Sequence, residues 1–107
     1  MVSKEEFLNR DWWLVIAKYP VACDASIKEV IESEEDPTLE LDYANELRDE
    51  CVNSFSYLDS PDIDEDDETQ VEDWYDQKFE DIELEAIKID EKVIDKYGVK
   101  WLNSYLA

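Results

Sequence analysis

The sequence predicts a single α+β domain, mostly helical with a small two-stranded sheet, with an all-α bundle as the alternative. Three observations support this. Two β-rich runs, "DWWLVIAKYP" and "IELEAIKI", are separated by stretches whose apolar residues recur at helical spacing. Serine or aspartate stands in capping position ahead of the helical stretches. The 107 residues suffice for one modest core, so residues 1–107 are expected to form one compact acidic domain.

In chain order, Ser3 and Glu6 make a capping box that opens a helix through about Asn9. "DWWLVIAKYP" reads as a buried strand ended by Pro20. Ser26 with Glu29 repeats the capping pattern and predicts a second short helix through about Ser33, stopped by "EEDP". Asp36 and Pro37 read as N-cap and first position of a longer helix to about Leu58. On it Leu39, Tyr43, Ala44, Leu47, Cys51, Phe55 and Leu58 share one side, while Asp42, Glu46, Asp49 and Asn53 share the other.

"DSPDIDED" is a loop, and the next helix runs from about Glu68 to Phe79. Val71, Trp74, Tyr75 and Phe79 are placed on its inner side; Glu72, Asp73, Asp76 and Glu80 face away. Trp74, Phe79, Leu47 and Phe55 are expected to hold the acidic rows in place, with Tyr57 and Tyr75 the more exposed aromatics. "IELEAIKI" is the second strand, suited to pair with the first. Asp90 caps a helix that ends at Gly98, the only glycine, in the C′ role, and "VKWLNSYLA" forms a last amphipathic turn or two.

Charge is the most informative property. The chain carries -21, yet its apolar content of 44% is that of a folded protein, not of a disordered acidic tail. Residues 1–28 balance at zero, residues 29–77 carry -19 with Arg48 as their one base, and residues 78–107 carry -2. Such crowding opposes folding, since two carboxylates about 6 Å apart repel by roughly 0.7 kcal/mol even in water. Net charge of this kind speaks about partners and solubility rather than about fold. The acidic surface of a halophile would not be confined to one segment.

Several chemistries are poorly supplied. There is no histidine for a general base or triad, and one glycine does not build a phosphate-cradling loop. With 31 acids some carboxylate pair is always close, so proximity alone does not indicate glycosidase-type catalysis; no enzyme and no cofactor is expected. An EF-hand register beginning at Asp62 places Asp64 and Asp66 correctly, but Asp67 stands where the turn needs glycine, Thr69 where an apolar residue belongs and Asp73 where glutamate belongs. No dedicated metal site is expected.

Cys23 and Cys51 form no CxxC pair and read as buried thiols. The longest apolar run, Trp12 to Ala17, is too short to span a bilayer, and no secretory signal pattern is present, so a soluble cytoplasmic protein is expected.

The spacing of the acids suggests a partner. Asp42, Glu46 and Asp49 cover about 10 Å of helix axis, one charge per roughly 3.5 Å. That is close to the 3.4 Å or so per phosphate of one DNA strand. Glu72, Asp73, Asp76 and Glu80 give four charges in about 12 Å. Together with Asp62, Asp64, Glu65, Asp66 and Asp67 of the loop, these are the candidate partner-binding residues, two helical rows and a loop resembling phosphate tracks.

In charge, size and the acidic segment from about Glu29 to Asp76, the chain resembles the small acidic DNA-mimic proteins of phages and mobile elements. Those proteins block restriction enzymes, CRISPR effectors or other DNA-binding proteins. The resemblance is one of charge and size, without a shared motif. It implies a stoichiometric inhibitor whose partner is a basic nucleic-acid-binding protein such as a nuclease or CRISPR effector, with no direct nucleic-acid or membrane contact, as monomer or homodimer. The chain is also similar to immunity proteins that neutralise basic nuclease toxins. In that case one or two desolvated anchors, such as Tyr57, Tyr75 or a single aspartate, would dominate binding.

Overall fold

Both faces of the run from Trp12 to Lys18 are apolar, and this places it at the centre of the molecule as strand β1. The computed structural model describes residues 1–20, 25–55 and 66–106. Among these, β1 is flanked by β2 (Ser26–Glu32) and β3 (Glu83–Lys88) in an antiparallel sheet of order β2-β1-β3. Leu14 lies opposite Val30 on one side and Ile87 on the other, so each strand contributes to a continuous apolar face.

Alternation along β1 feeds two separate cores. Leu14 and Ile16 point to one face, where they meet Phe7 of α1 (Lys4–Asn9), Val30, Ile94 of α4 (Glu91–Tyr97) and Leu102 of α5 (Val99–Asn103). Val15, Ala17 and Tyr19 serve the other face, against Leu47, Cys51 and Val52 of α2 (Leu41–Phe55) and Tyr75 and Phe79 of α3 (Glu68–Asp81). The result is three layers, helices on both sides of a sheet whose middle strand is buried twice over.

Local chemistry explains most helix ends. The Ser3 hydroxyl accepts from the Glu6 amide at 3.2 Å, and Asp90 caps α4 by accepting from the Val93 amide. Gly98 ends α4 at φ +90°, a conformation that side-chain-bearing residues rarely adopt. Asn103 bonds both the amide and the carbonyl of Val2, fastening the start of the chain to α5.

Three expectations require correction. The sheet has three strands instead of two, because Ser26–Glu32 is strand β2 where the capping pattern predicts a helix. Ile27, Val30 and Ile31 fit helical spacing equally well, but three β-branched residues in seven favour extended chain, and an isolated eight-residue helix is marginal by itself. Pairing with β1 supplies backbone partners and buries Val30 completely.

The helix expected from Asp36 to Leu58 is two elements. Asp36 does cap, accepting from the Thr38 amide with Pro37 next, but the turn is a 3-10 helix (Pro37–Leu39) that stops before α2 begins at Leu41. Glu40, with ψ 113°, breaks the run, and Leu58 lies outside the described residues.

On α3 the inner side is also rotated from the expected one. Tyr75 packs against the core with Phe79, their rings 6.3 Å apart, so Tyr75 is not the exposed aromatic. Trp74 is half-buried but belongs to neither core, and Val71 is 37% exposed. The dominant contact is the line of Tyr75, Phe79 and the buried Ile82, and Trp74 lies about 100° round the helix from it. Tyr57 lies outside the described residues.

Candidate partner-binding surface

The two helices of one layer carry the acidic rows. Asp42, Glu46 and Asp49 are exposed on α2 because Ala44, Leu47, Cys51 and Val52 occupy its inner stripe. Glu72, Asp73, Asp76 and Glu80 are exposed on α3. Both helices lie on the same side of the sheet and touch each other, so the structure brings the two rows into one layer. From their sequences α2 and α3 carry a net -8, whereas α1, α4 and α5 on the opposite side sum to zero.

Four of the bases pair with acids away from α2 and α3. Among the described residues, ion pairs join Lys4 to Glu91 and Asp95, Arg10 to Glu32, Lys18 to Glu85 and Lys88 to Asp11. None of these pairs involves an acid of α2 or α3. Arg48, the one base of α2, bonds the Asn45 side chain.

The loop residues divide. Asp62, Asp64 and Glu65 lie outside the described residues. Asp66 is exposed just before α3. Asp67 is half-buried and works as the N-cap of α3, accepting from the amides of Thr69 and Gln70 and from the Gln70 side chain. Its carboxylate is therefore occupied by the helix end, a role that the aspartate-rich run hid. Residues 68–73 are helical, so the second half of the EF-hand register is α3. Among the described residues no group of three or more acids, cysteines or histidines is arranged to hold a metal ion.

Sequence periodicity missed a third acidic feature. Glu29 on β2 faces α2, and its carboxyl is raised above the usual range, first by burial and then by the charges of Glu50 and Glu46. Burial, then Glu29 and Glu50, likewise hold the Tyr43 phenol well above its ordinary value. Burial and Glu50 push the Cys51 thiol up to about 11, which keeps this free, buried cysteine protonated and unreactive. Cys23 lies outside the described residues. Only the pairing of β2 with β1 brings Glu29 to α2, so no spacing rule in the chain predicted it.

The direction for Glu29 has a thermodynamic consequence. The folded state holds this proton better than the unfolded chain does, so the group's favourable contribution is complete below the ordinary glutamate range. It is lost as pH rises through the folded-state value. At neutral pH the ionised carboxylate opposes folding. Glu29→Gln is expected to stabilise the protein at pH 7 by a few tenths of a kcal/mol, the scale of a like-charge neighbour pair, and to make little difference near pH 4. Thermal melts at the two pH values check this, and an unchanged or lower midpoint at pH 7 would contradict it.

Two apolar side chains interrupt the acidic layer. Leu39 is 74% and Leu41 68% exposed, one on each side of Glu40. The helical stripe placed Leu39 in the core; the change from 3-10 to α-helix turns it out. Away from this layer, a cleft of about 400 Å³ at the edge of β2 is lined by Val2, Trp12, Val30, Ile31, Glu32 and Leu106. Comparison with known families, curated proteins and solved structures finds no match. No helix among the described residues is long and apolar enough to cross a membrane.

Proposed function

We propose that the protein is a stoichiometric inhibitor that acts as a DNA mimic, its acidic layer occupying the basic nucleic-acid groove of a DNA-binding enzyme. The observation that carries this reading is the segregation of charge across the sheet: -8 on the two helices of one layer and zero on the helices of the other. An acidic surface serving solubility alone has no reason to favour one side. Rigidity supports it further, because α2 is anchored by four buried side chains and its carboxylates are held in place before any partner arrives.

The mechanism is electrostatic substitution. Lysines and arginines placed to meet phosphates meet carboxylates at similar line density, association is steered by the long-range field, and duplex is excluded from the groove. The protein belongs on this proposal to the anti-restriction or anti-CRISPR type, phage or mobile-element encoded, and acts in the cytoplasm where such enzymes meet DNA.

A displacement assay tests it. Purified restriction endonucleases, RNA-guided nucleases and helix-turn-helix repressors are each loaded with a fluorescent duplex and titrated with the protein at 50 to 500 mM salt. Release of duplex from at least one of them at a fixed molar ratio, weakening as salt rises, is the expected result. Retention of duplex by every protein at the lowest salt would end the proposal.

A further inference from the structure

We propose that Leu39 and Leu41 form an apolar anchor within the acidic layer, seated in an apolar recess in the wall of the partner's cationic groove. This rests on the DNA-mimic reading and adds to it the contact by which the partner protein distinguishes this chain from DNA. Leu39 and Leu41, exposed to 74% and 68% within about 7 Å of chain, are after Met1 the most exposed large apolar side chains among the described residues. They are presented rigidly: the Asp36 carboxylate accepts from both the amide and the hydroxyl of Thr38, Pro37 is buried, and the Glu40 amide donates to the Pro37 carbonyl.

The local sequence also departs from what a helix start prefers. Ala44 donates to the Glu40 carbonyl, which makes Glu40 the residue at the N-cap, where serine or aspartate would serve better. Leu39 precedes it in the position that commonly staples onto the fourth helical residue, yet it remains exposed. Such departures from local preference concentrate at functional sites.

Charge identifies the occupant. Glu34, Glu35, Glu40 and Asp42 flank the pair in the chain, all exposed, and residues 33–47 contain no lysine or arginine. A lipid surface with anionic headgroups or a second copy of this acidic chain is repelled there. A cationic protein surface with an apolar hollow is complementary in both respects. Phosphate tracks offer no aliphatic contact, so the anchor supplies affinity that salt does not screen.

The test repeats the displacement assay with Leu39→Ser/Leu41→Ser. Both side chains are exposed, so the thermal midpoint should stay that of the parent protein. The double variant is expected to need at least tenfold more protein for half displacement, about 1.4 kcal/mol, by the same factor at 100 and 400 mM salt and with an unchanged salt slope. If the parent protein displaces no duplex, the function reading and the anchor fall together. If the parent displaces duplex and the double variant matches it, the anchor falls and the mimic reading stands. If sedimentation shows a dimer of the parent that the double variant loses, the pair is a contact between copies and the anchor is again refuted.

Discussion

Leu14→Ala is expected to destabilise the protein by about 2–5 kcal/mol and to leave it largely unfolded at low salt. Leu14 is fully buried at the middle of β1, opposite Val30 and Ile87 and packed in the core of α1, α4 and α5. Removing its side chain leaves a cavity lined by residues of five elements, which have little freedom to collapse into it together. A small domain has about 5–15 kcal/mol in all, and here part of that is already spent against the repulsion of a -21 chain.

The same reasoning predicts rescue. Salt screens the repulsion without filling the cavity, so 0.5 M sodium chloride should restore part of the lost stability. Urea unfolding followed by circular dichroism measures both quantities. A loss below 1 kcal/mol would mean that the core on this face of β1 repacks freely, contrary to the layered arrangement.

The second large effect belongs to binding. Changing Glu72, Asp73, Asp76 and Glu80 to their amides should weaken displacement of duplex by roughly 30-fold to 1000-fold. The basis is about 0.5–1 kcal/mol for each partly exposed charge pair removed, four times over. The loss should lie mainly in the association rate and should shrink at high salt, since steering is what those charges contribute. All four residues are exposed, and α3 is seated by Tyr75 and Phe79 instead, so the fold should be unharmed and even slightly stabilised by lower self-repulsion. Any one of the four replaced alone should matter little. A single amide that equals the quadruple variant would argue for one dominant contact and against a distributed phosphate-like row.

Much of the frame was legible in the chain because it depends on neighbours. Ser3, Asp90 and Gly98 mark their helix ends through bonds or backbone angles confined to a few residues. The runs from Trp12 and from Glu83 declared themselves as strands by composition, and they do pair. The acids of α2 and α3 were identifiable as outward-facing because the apolar stripe of each helix fixes which side is buried, although on α3 that stripe was misplaced by one residue at Trp74.

The segment from Ser26 to Glu32 failed for a physical reason. Its apolar residues satisfy helical and extended periodicity alike, so the decision lay with β1, a partner eight residues upstream. Leu39 failed similarly, since one extended residue at Glu40 changes the phase of everything before it. Asp67 was counted with the free acids because a cap and an exposed carboxylate look the same in a run of aspartates.

By itself, then, the sequence determined that the negative charge is concentrated in the middle of the chain and that the acids of its helices face outward, since both follow from residue counts and short-range periodicity. Only the tertiary structure decided that the charged helices share one layer, that Glu29 lies beneath the charges of α2 and that two leucines stand exposed near the acids in the chain. Those outcomes depend on which strand pairs with β1 and on how α2 and α3 rotate against it, and contacts between residues far apart in the chain have no local signature.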